Sequence, residues 1–326
     1  MRNPSAGRRR AAIAAAALLL LAAPAAAQTY PNRNIIVMCG FAAGGGGDLI
    51  CRYIADRLSP LAGQRALVEN RVGALGSLAA EATARSKPDG YTVLVTPGSS
   101  THASYPFIFQ KPLYDPVRDF VMVTTLARLT FILVVAPQHH PWSSVKEMTD
   151  WAMTNNAKTG YSTVMGLVSG ETYKGMAGID DLLEVPYKSA QNTILDLLAG
   201  EVDFMFSDPG LAMAHIPTGT LRPLALTMAA PSPANPGVPT MDQAGFPGYD
   251  VSGWWAAYVA AGTPPPIVRQ LRGWLDEIVL RDETREFFAR SGIDTFPAGD
   301  LDFAAFQRAE TAKWKHHVEV AKVPAQ

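Results

Sequence analysis

Ile35-Ile36-Val37-Met38-Cys39 is followed by Gly40-Phe41-Ala42-Ala43-Gly44-Gly45-Gly46-Gly47-Asp48, and then by Leu49, Ile50, Tyr53, Ile54 and Leu58 at helical spacing. A continuous apolar run of this length is what a strand buried on both faces requires. The recurrence after it is that of an amphipathic helix. Strand, glycine loop and helix in this order predict an α/β fold.

The rest of the chain repeats the alternation. Ala66-Leu67-Val68 is a second short strand, and Tyr91 to Thr96 is a third. Between them Ser77 to Ser86 forms a helix, stopped by Pro88-Asp89-Gly90. Ser144-Val145-Lys146-Glu147 has the capping-box pattern and opens a helix through Trp151. Gly160 to Thr163 ends a strand, and Glu171 to Ala177 is a short helix. Gly200 closes a helix marked by Ile194, Leu197 and Leu198. Val202 to Phe206, Leu221 to Met228 and Trp254 to Ala261 are further strands, and Asp302 to Ala321 is the last helix. Strands alternating with helices imply mainly parallel sheets flanked by helices.

The glycine loop is an anion site by construction. Its glycines leave backbone N–H groups uncovered, and the following helix directs its positive end at them. A phosphate-binding P-loop would end in Gly-Lys-Ser/Thr, whereas this loop ends in Gly47-Asp48. A dinucleotide fingerprint would need its third glycine where Asp48-Leu49 stands. A carboxylate is the remaining anion, set against a plain flexible turn with no ligand. Asp48 reads as the N-cap of the helix, or as the acceptor for an ammonium group on an amino-acid-like ligand. Three further polar sets follow strand runs: Ser99-Ser100-Thr101, Ser162-Thr163 and Ser207-Asp208. Each is ordinary capping chemistry by itself. Ligands of open parallel sheets, however, bind beyond the carboxyl ends of the strands, where all of these sets lie.

The N-terminus predicts export. Arg2, Arg8, Arg9 and Arg10 precede an apolar run from Ala11 to Ala23, and Ala25-Ala26-Ala27 supplies small residues for cleavage before Gln28. The run is shorter than the ~20 residues a membrane anchor needs. Residues 1–27 hold four Arg and no acid, so the remainder has 24 basic against 29 acidic side chains, a net of −5. That balance, with basic residues scattered along the chain, argues against nucleic acid as a partner. An oxidising compartment permits a disulfide between Cys39 and Cys51; the alternative is a pair of buried thiols packing as small hydrophobes. No Cys or His grouping has zinc-ligand spacing, since His139-His140 and His316-His317 are adjacent pairs that point apart. No metal or cofactor is expected.

Many short segments resemble, in order, the substrate-binding proteins of tripartite tricarboxylate transporters, the Bug family of periplasmic receptors. They are Tyr30-Pro31; Phe41 to Gly46 with Asp48; Val68-Glu69-Asn70-Arg71 with Gly73; Lys87-Pro88-Asp89-Gly90-Tyr91-Thr92; and Tyr114-Asp115-Pro116 with Asp119-Phe120. Val185-Pro186-Tyr187-Lys188, Asp196 to Gly200 with Val202-Asp203 and Met205-Phe206, Val238-Pro239-Thr240 and Gly262-Thr263-Pro264-Pro265 continue the match. The resemblance implies a two-lobed, flytrap-like periplasmic-binding-protein fold with crossovers near Leu126–Thr130 and near Ser252. Lobe I would comprise residues 28–127 and 253–326, and lobe II residues 128–252. It further implies a monomeric receptor in the periplasm. Such a receptor clamps a small organic carboxylate on backbone amides around Ala42 to Gly47 and passes it to membrane transporter subunits. The ligand-binding set is then Phe41, Ala42, Ala43, Gly44, Gly45, Gly46, Gly47 and Asp48, with Ser99, Ser100, Thr101, Ser162, Thr163, Ser207 and Asp208.

The chain departs from the family pattern at Tyr161 to Gly170, where a Ser-x-Gly-x-Gly loop and a later His are usual. Here Val164, Met165, Leu167 and Val168 stand instead. Either they line the cleft and favour a less polar ligand, with Phe41 and Trp254 or Trp255 adding aromatic wall, or they face the lobe core. Gly47 also stands where Thr or Ser is common, and Ser189 follows Lys188 in place of Gly.

An enzyme is disfavoured. There is no Gly-x-Ser-x-Gly elbow, and His102 is the one histidine beside an expected site, where a Ser–His hydrolase pair is the reading to be tested. A receptor that signals to a membrane sensor kinase remains the alternative to transport, because closure on the ligand is common to both.

Overall fold

The computed structural model describes residues 30–323 apart from Gly45; the expected signal segment, residues 1–27, lies outside the described residues. The first sheet contains β1 (Ile35–Cys39), β2 (Ala66–Asn70), β3 (Thr92–Pro97), β4 (Phe120–Leu129), β10 (Gly253–Ala260) and β11 (Asp294–Thr295). The second contains β5 (Ile132–Val135), β6 (Lys158–Tyr161), β7 (Leu183–Pro186), β8 (Phe204–Ser207) and β9 (Arg222–Leu226). Their orders are β11-β4-β10-β3-β1-β2 and β7-β6-β8-β5-β9.

β1 behaves as its apolar run requires. Ile35, Val37 and Cys39 pack on one face of the sheet and Met38 on the other, all at most 4% exposed. The helix α1 (Gly46–Ala62) lays Ile50, Cys51, Ile54 and Leu58 onto the first of these faces. Cys39 and Cys51 are free and buried there, and the Cys51 thiol donates to the Val95 carbonyl at 3.5 Å.

Both sheets are mixed rather than mainly parallel. β1 runs parallel to β2 and β3, but β10 is antiparallel to β3 and β4. In the second sheet β5 is antiparallel to β8 and β9. The cause is topological: β4 leads through Thr130 and Phe131 into β5, and the chain returns at Ser252 into β10, so the crossing strands run against their neighbours. The two crossovers are tied together. Thr227 Oγ1 accepts from the Phe131 amide at 2.8 Å, the Val251 amide donates to the Thr227 carbonyl at 2.9 Å, and the Met228 amide donates to Thr130 Oγ1 at 3.2 Å.

A second difference concerns the segment after β6. The helix there is not confined to Glu171–Ala177 but runs from Val164 to Ala177. Thr163 caps it by accepting from the Gly166 amide at 3.1 Å. Leu167 and Val168 bury against the core, and Gly166 and Gly170, which read as loop residues, lie inside the helix. The capping box at Ser144 is shifted by one residue: Ser144 accepts from the Glu147 amide, but Glu147 reaches back to the amide of Ser143. No helix of the described residues is long and apolar enough to cross a membrane.

One buried carboxylate fixes the glycine loop. Asp48, 0% exposed, accepts from the Gly44 amide at 2.8 Å, from Asn70 Nδ2 at 2.7 Å and from Arg52 Nε at 2.7 Å. Asn70 Nδ2 also donates to the Phe41 carbonyl at 2.9 Å. Burial works against the charged form, but the bonds from Asn70, Gly44 and Arg52 outweigh it and hold the carboxyl below the usual range. Asp48→Ala strands these donors and is expected to cost about 2 kcal/mol, read from urea unfolding. A loss under about 0.5 kcal/mol would contradict the assigned bonds.

His102 is a buried titratable group in the turn after β3. It is 0% exposed, stacks on Tyr258 with ring centroids 3.7 Å apart, and pairs through Nδ1 with Thr101 Oγ1 at 2.9 Å. Burial lowers its pKa from 6.5 to about 3. The folded form therefore stays neutral where the unfolded chain takes up a proton, so stability falls as pH drops from 6.5 towards 3. Urea midpoints measured at pH 7, 5.5 and 4.5 should show this decline, and His102→Phe should make it shallower; an unchanged slope in the variant would contradict the assignment.

Candidate ligand-binding site

A cavity of about 630 Å³ opens between the two sheets, at the ends where the glycine loop, the crossovers and the start of the Val164 helix meet. Phe41, Ala42, Gly46 and Gly47 line it from the glycine loop, and Ser99 and Ser100 from the wide turn after β3. Thr163, Val164, Met165 and Asp208 line it from the second lobe, and Leu129 and Phe131 from the first crossover. The first turn of α1 has N–H groups without intrahelical acceptors, and Gly46, Gly47 and Leu49 of that turn line the cavity.

The glycines do separate jobs. Gly46 lines the cavity, and a side chain on it would meet no atom within 4 Å. A side chain on Gly47 would collide with the Phe41 ring. That ring packs against Trp255, with centroids 5.3 Å apart, and the pair forms an aromatic wall. Trp254 takes no part: it is 1% exposed and packs edge-on against Phe306 at 5.0 Å.

Of the residues expected from sequence, Phe41, Ala42, Gly46, Gly47, Ser99, Ser100, Thr163 and Asp208 are brought together on this cavity. Six others do not line it. Ala43 and Gly44 are exposed on the outer side of the turn, where the Gly44 amide is already bound to Asp48. Asp48 is buried beneath the loop. Thr101 is 0% exposed and spends its hydroxyl on the Pro97 carbonyl and His102. Ser162 sits half-buried in the turn before the helix, and Ser207 is buried, its hydroxyl donating to the Asp208 carbonyl at 3.1 Å. Gly45 lies outside the described residues. His102 also stays out of the cavity, and its ring nitrogen faces a threonine rather than a serine, which removes the Ser–His pair.

Of the four apolar residues after Thr163, Val164 and Met165 line the cavity as well, while Leu167 and Val168 pack mainly into the core. Asp208 caps a short helix, Pro209–Ala212, by accepting from the Gly210 amide at 2.9 Å. Burial pushes its carboxyl up, against the pull of that bond and of the Leu211 amide. Sequence reading missed Leu49, Val72, Leu75, Ser104 and Ile108 in the lining. Leu49 and Ile108 carried no signal, being ordinary helix residues; Val72 and Leu75 stand beside Gly73 and Gly76, a turn signature that pointed to the loop but not to its role.

Comparison with known proteins places this geometry. The protein BugT of Bordetella pertussis is 29% identical over 290 residues, covering 88% of each chain. The solved structure of Rpa4515 of R. palustris with adipate superposes with a TM-score of 0.78 at 29% identity, over 91% of this chain and 100% of that one. MatC of Rhodopseudomonas palustris with bound malate gives a TM-score of 0.72 at 26% identity, over 89% and 100%. These likenesses carry the two-lobed periplasmic-binding-protein fold. The model of the tripartite tricarboxylate transporter family receptor matches residues 50–322, and the chain belongs to that family.

Proposed function

We propose that this protein is an exported, soluble receptor that captures a small organic carboxylate between its lobes and presents it to the membrane subunits of a tripartite tricarboxylate-type transporter. The observation that carries the reading is the cavity into which Gly46 and Gly47 open at the start of α1. Backbone amides there meet an anion with no side chain between, and the helix end favours its charge. Family membership supports the transport role, and the adipate and malate named for Rpa4515 and MatC support the ligand class. Residues 1–27 are taken as a cleaved export signal. Lobe I is residues 28–127 with 253–326, and lobe II is residues 128–252. The receptor acts as a monomer without cofactor or metal and carries out no chemistry on its ligand; the buried, threonine-paired His102 supports this.

Gly46→Val tests the clamp. The valine Cβ meets no neighbouring atom, so the unfolding free energy should stay within about 1 kcal/mol of wild type. Carboxylate affinity, measured by calorimetry, should fall about 100-fold, because charge-assisted hydrogen bonds to the amides are blocked. Unchanged affinity in the folded variant removes the loop from the clamp.

A further inference from the structure

Two residues that are not glycine adopt left-handed backbone where β2 leads towards the next helix. Ala74 has φ 45°, and Leu75 has φ 55° and ψ 31°. In this region the Cβ of an L-residue crowds the following carbonyl, so glycine is the residue the position favours on folding grounds. Leu75 gains nothing in return from packing: it is 44% exposed and joins no buried cluster. A strained position whose side chain supports no core points to a task outside folding.

That side chain lines the cavity. Leu49 and Val72 line it too, although they are 52% and 57% exposed. Three exposed aliphatic side chains of lobe I, together the lip, thus line the cavity, and Val164 and Met165 line it from lobe II. Exposed apolar groups gathered at one opening mark a surface that an apolar partner covers. Among the described residues, Arg290 and Asp208 are the charged side chains of the lining, and neither belongs to the lip.

We propose that the lip is a second subsite that takes the apolar tail of a monocarboxylate, with Leu75 as its specificity-determining residue. This inference rests on the reading of the glycine loop as the carboxylate clamp. A tail covering the lip leaves water and gains in proportion to the area buried. A second carboxylate in the same place would shed its water and find no donor.

Calorimetry on residues 28–326 with a matched pair of six-carbon acids, hexanoate and adipate, tests this. Hexanoate should bind about tenfold tighter than adipate or better. Leu75→Gly should lose about tenfold in hexanoate affinity, leave adipate affinity within about twofold, and unfold at a higher temperature because the strain is gone. A purely structural role for Leu75 would move stability without the hexanoate-to-adipate ratio, and that outcome overturns the proposal. Tenfold preference for adipate, abolished by Arg290→Gln, overturns it as well and assigns the second carboxylate to that arginine. Binding of neither acid sinks the carboxylate reading itself, and the inference with it.

Discussion

The shape of the glycine loop depends on a buried carboxylate, Asp48, that does not line the cavity. A run of glycines has no preferred shape, and its amides would point in many directions if left free. Asp48 ends that freedom from below by holding the Gly44 amide, while Asn70 holds both Asp48 and the Phe41 carbonyl. The negative charge sits under the first turn of α1, where the helix end stabilises it, and Arg52 closes the pair from the surface side. With the loop pinned at both ends, Gly46 and Gly47 are left facing the cavity.

The same economy governs how the lobes meet. Thr227 joins the two crossovers, its hydroxyl meeting Thr130 and the Phe131 amide and its carbonyl accepting from the Val251 amide, so the lobes share a short, hydrogen-bonded waist. The C-terminal helix, Phe303–Val320, spans them: it packs against the turn after β3 in lobe I and against the Val164 helix in lobe II. Lys313 binds Asp250 at 3.1 Å beside the second crossover, and His317 Nε2 bonds the Asp250 carbonyl at 3.0 Å. Leu129 and Phe131, which line the cavity from the first crossover, set the cavity next to the waist.

Much of this was legible in the sequence, for identifiable reasons. The run Ile35–Cys39 read as a strand covered on both faces, and it is one. The glycine loop and the hydroxyl residues at Ser99 and Thr163 followed from strand ends that a parallel arrangement would gather, and the structure does gather them. Strand direction was not legible: β5 and β10 are apolar like the others, and nothing local encodes that they run against their neighbours. The Val164 helix was hidden by Gly166 and Gly170, which depress helix propensity; at Gly170 a side chain would press on the Glu184 carboxylate at 3.1 Å, whereas at Gly166 it would make only ordinary contacts. The part played by Leu75 could not be read at all, since it lies in a backbone angle and an exposed side chain, neither of which the residue type announces.

The central claim is that the amides at the start of α1 hold the ligand's carboxylate. A crystal structure of the mature protein with a bound monocarboxylate tests it most directly. The account predicts both carboxylate oxygens within about 2.7–3.2 Å of backbone nitrogens in the Gly46–Gly47 turn, with the tail running towards Val72 and Leu75. A carboxylate found paired with Arg290, and no contact to the α1 amides, would contradict it.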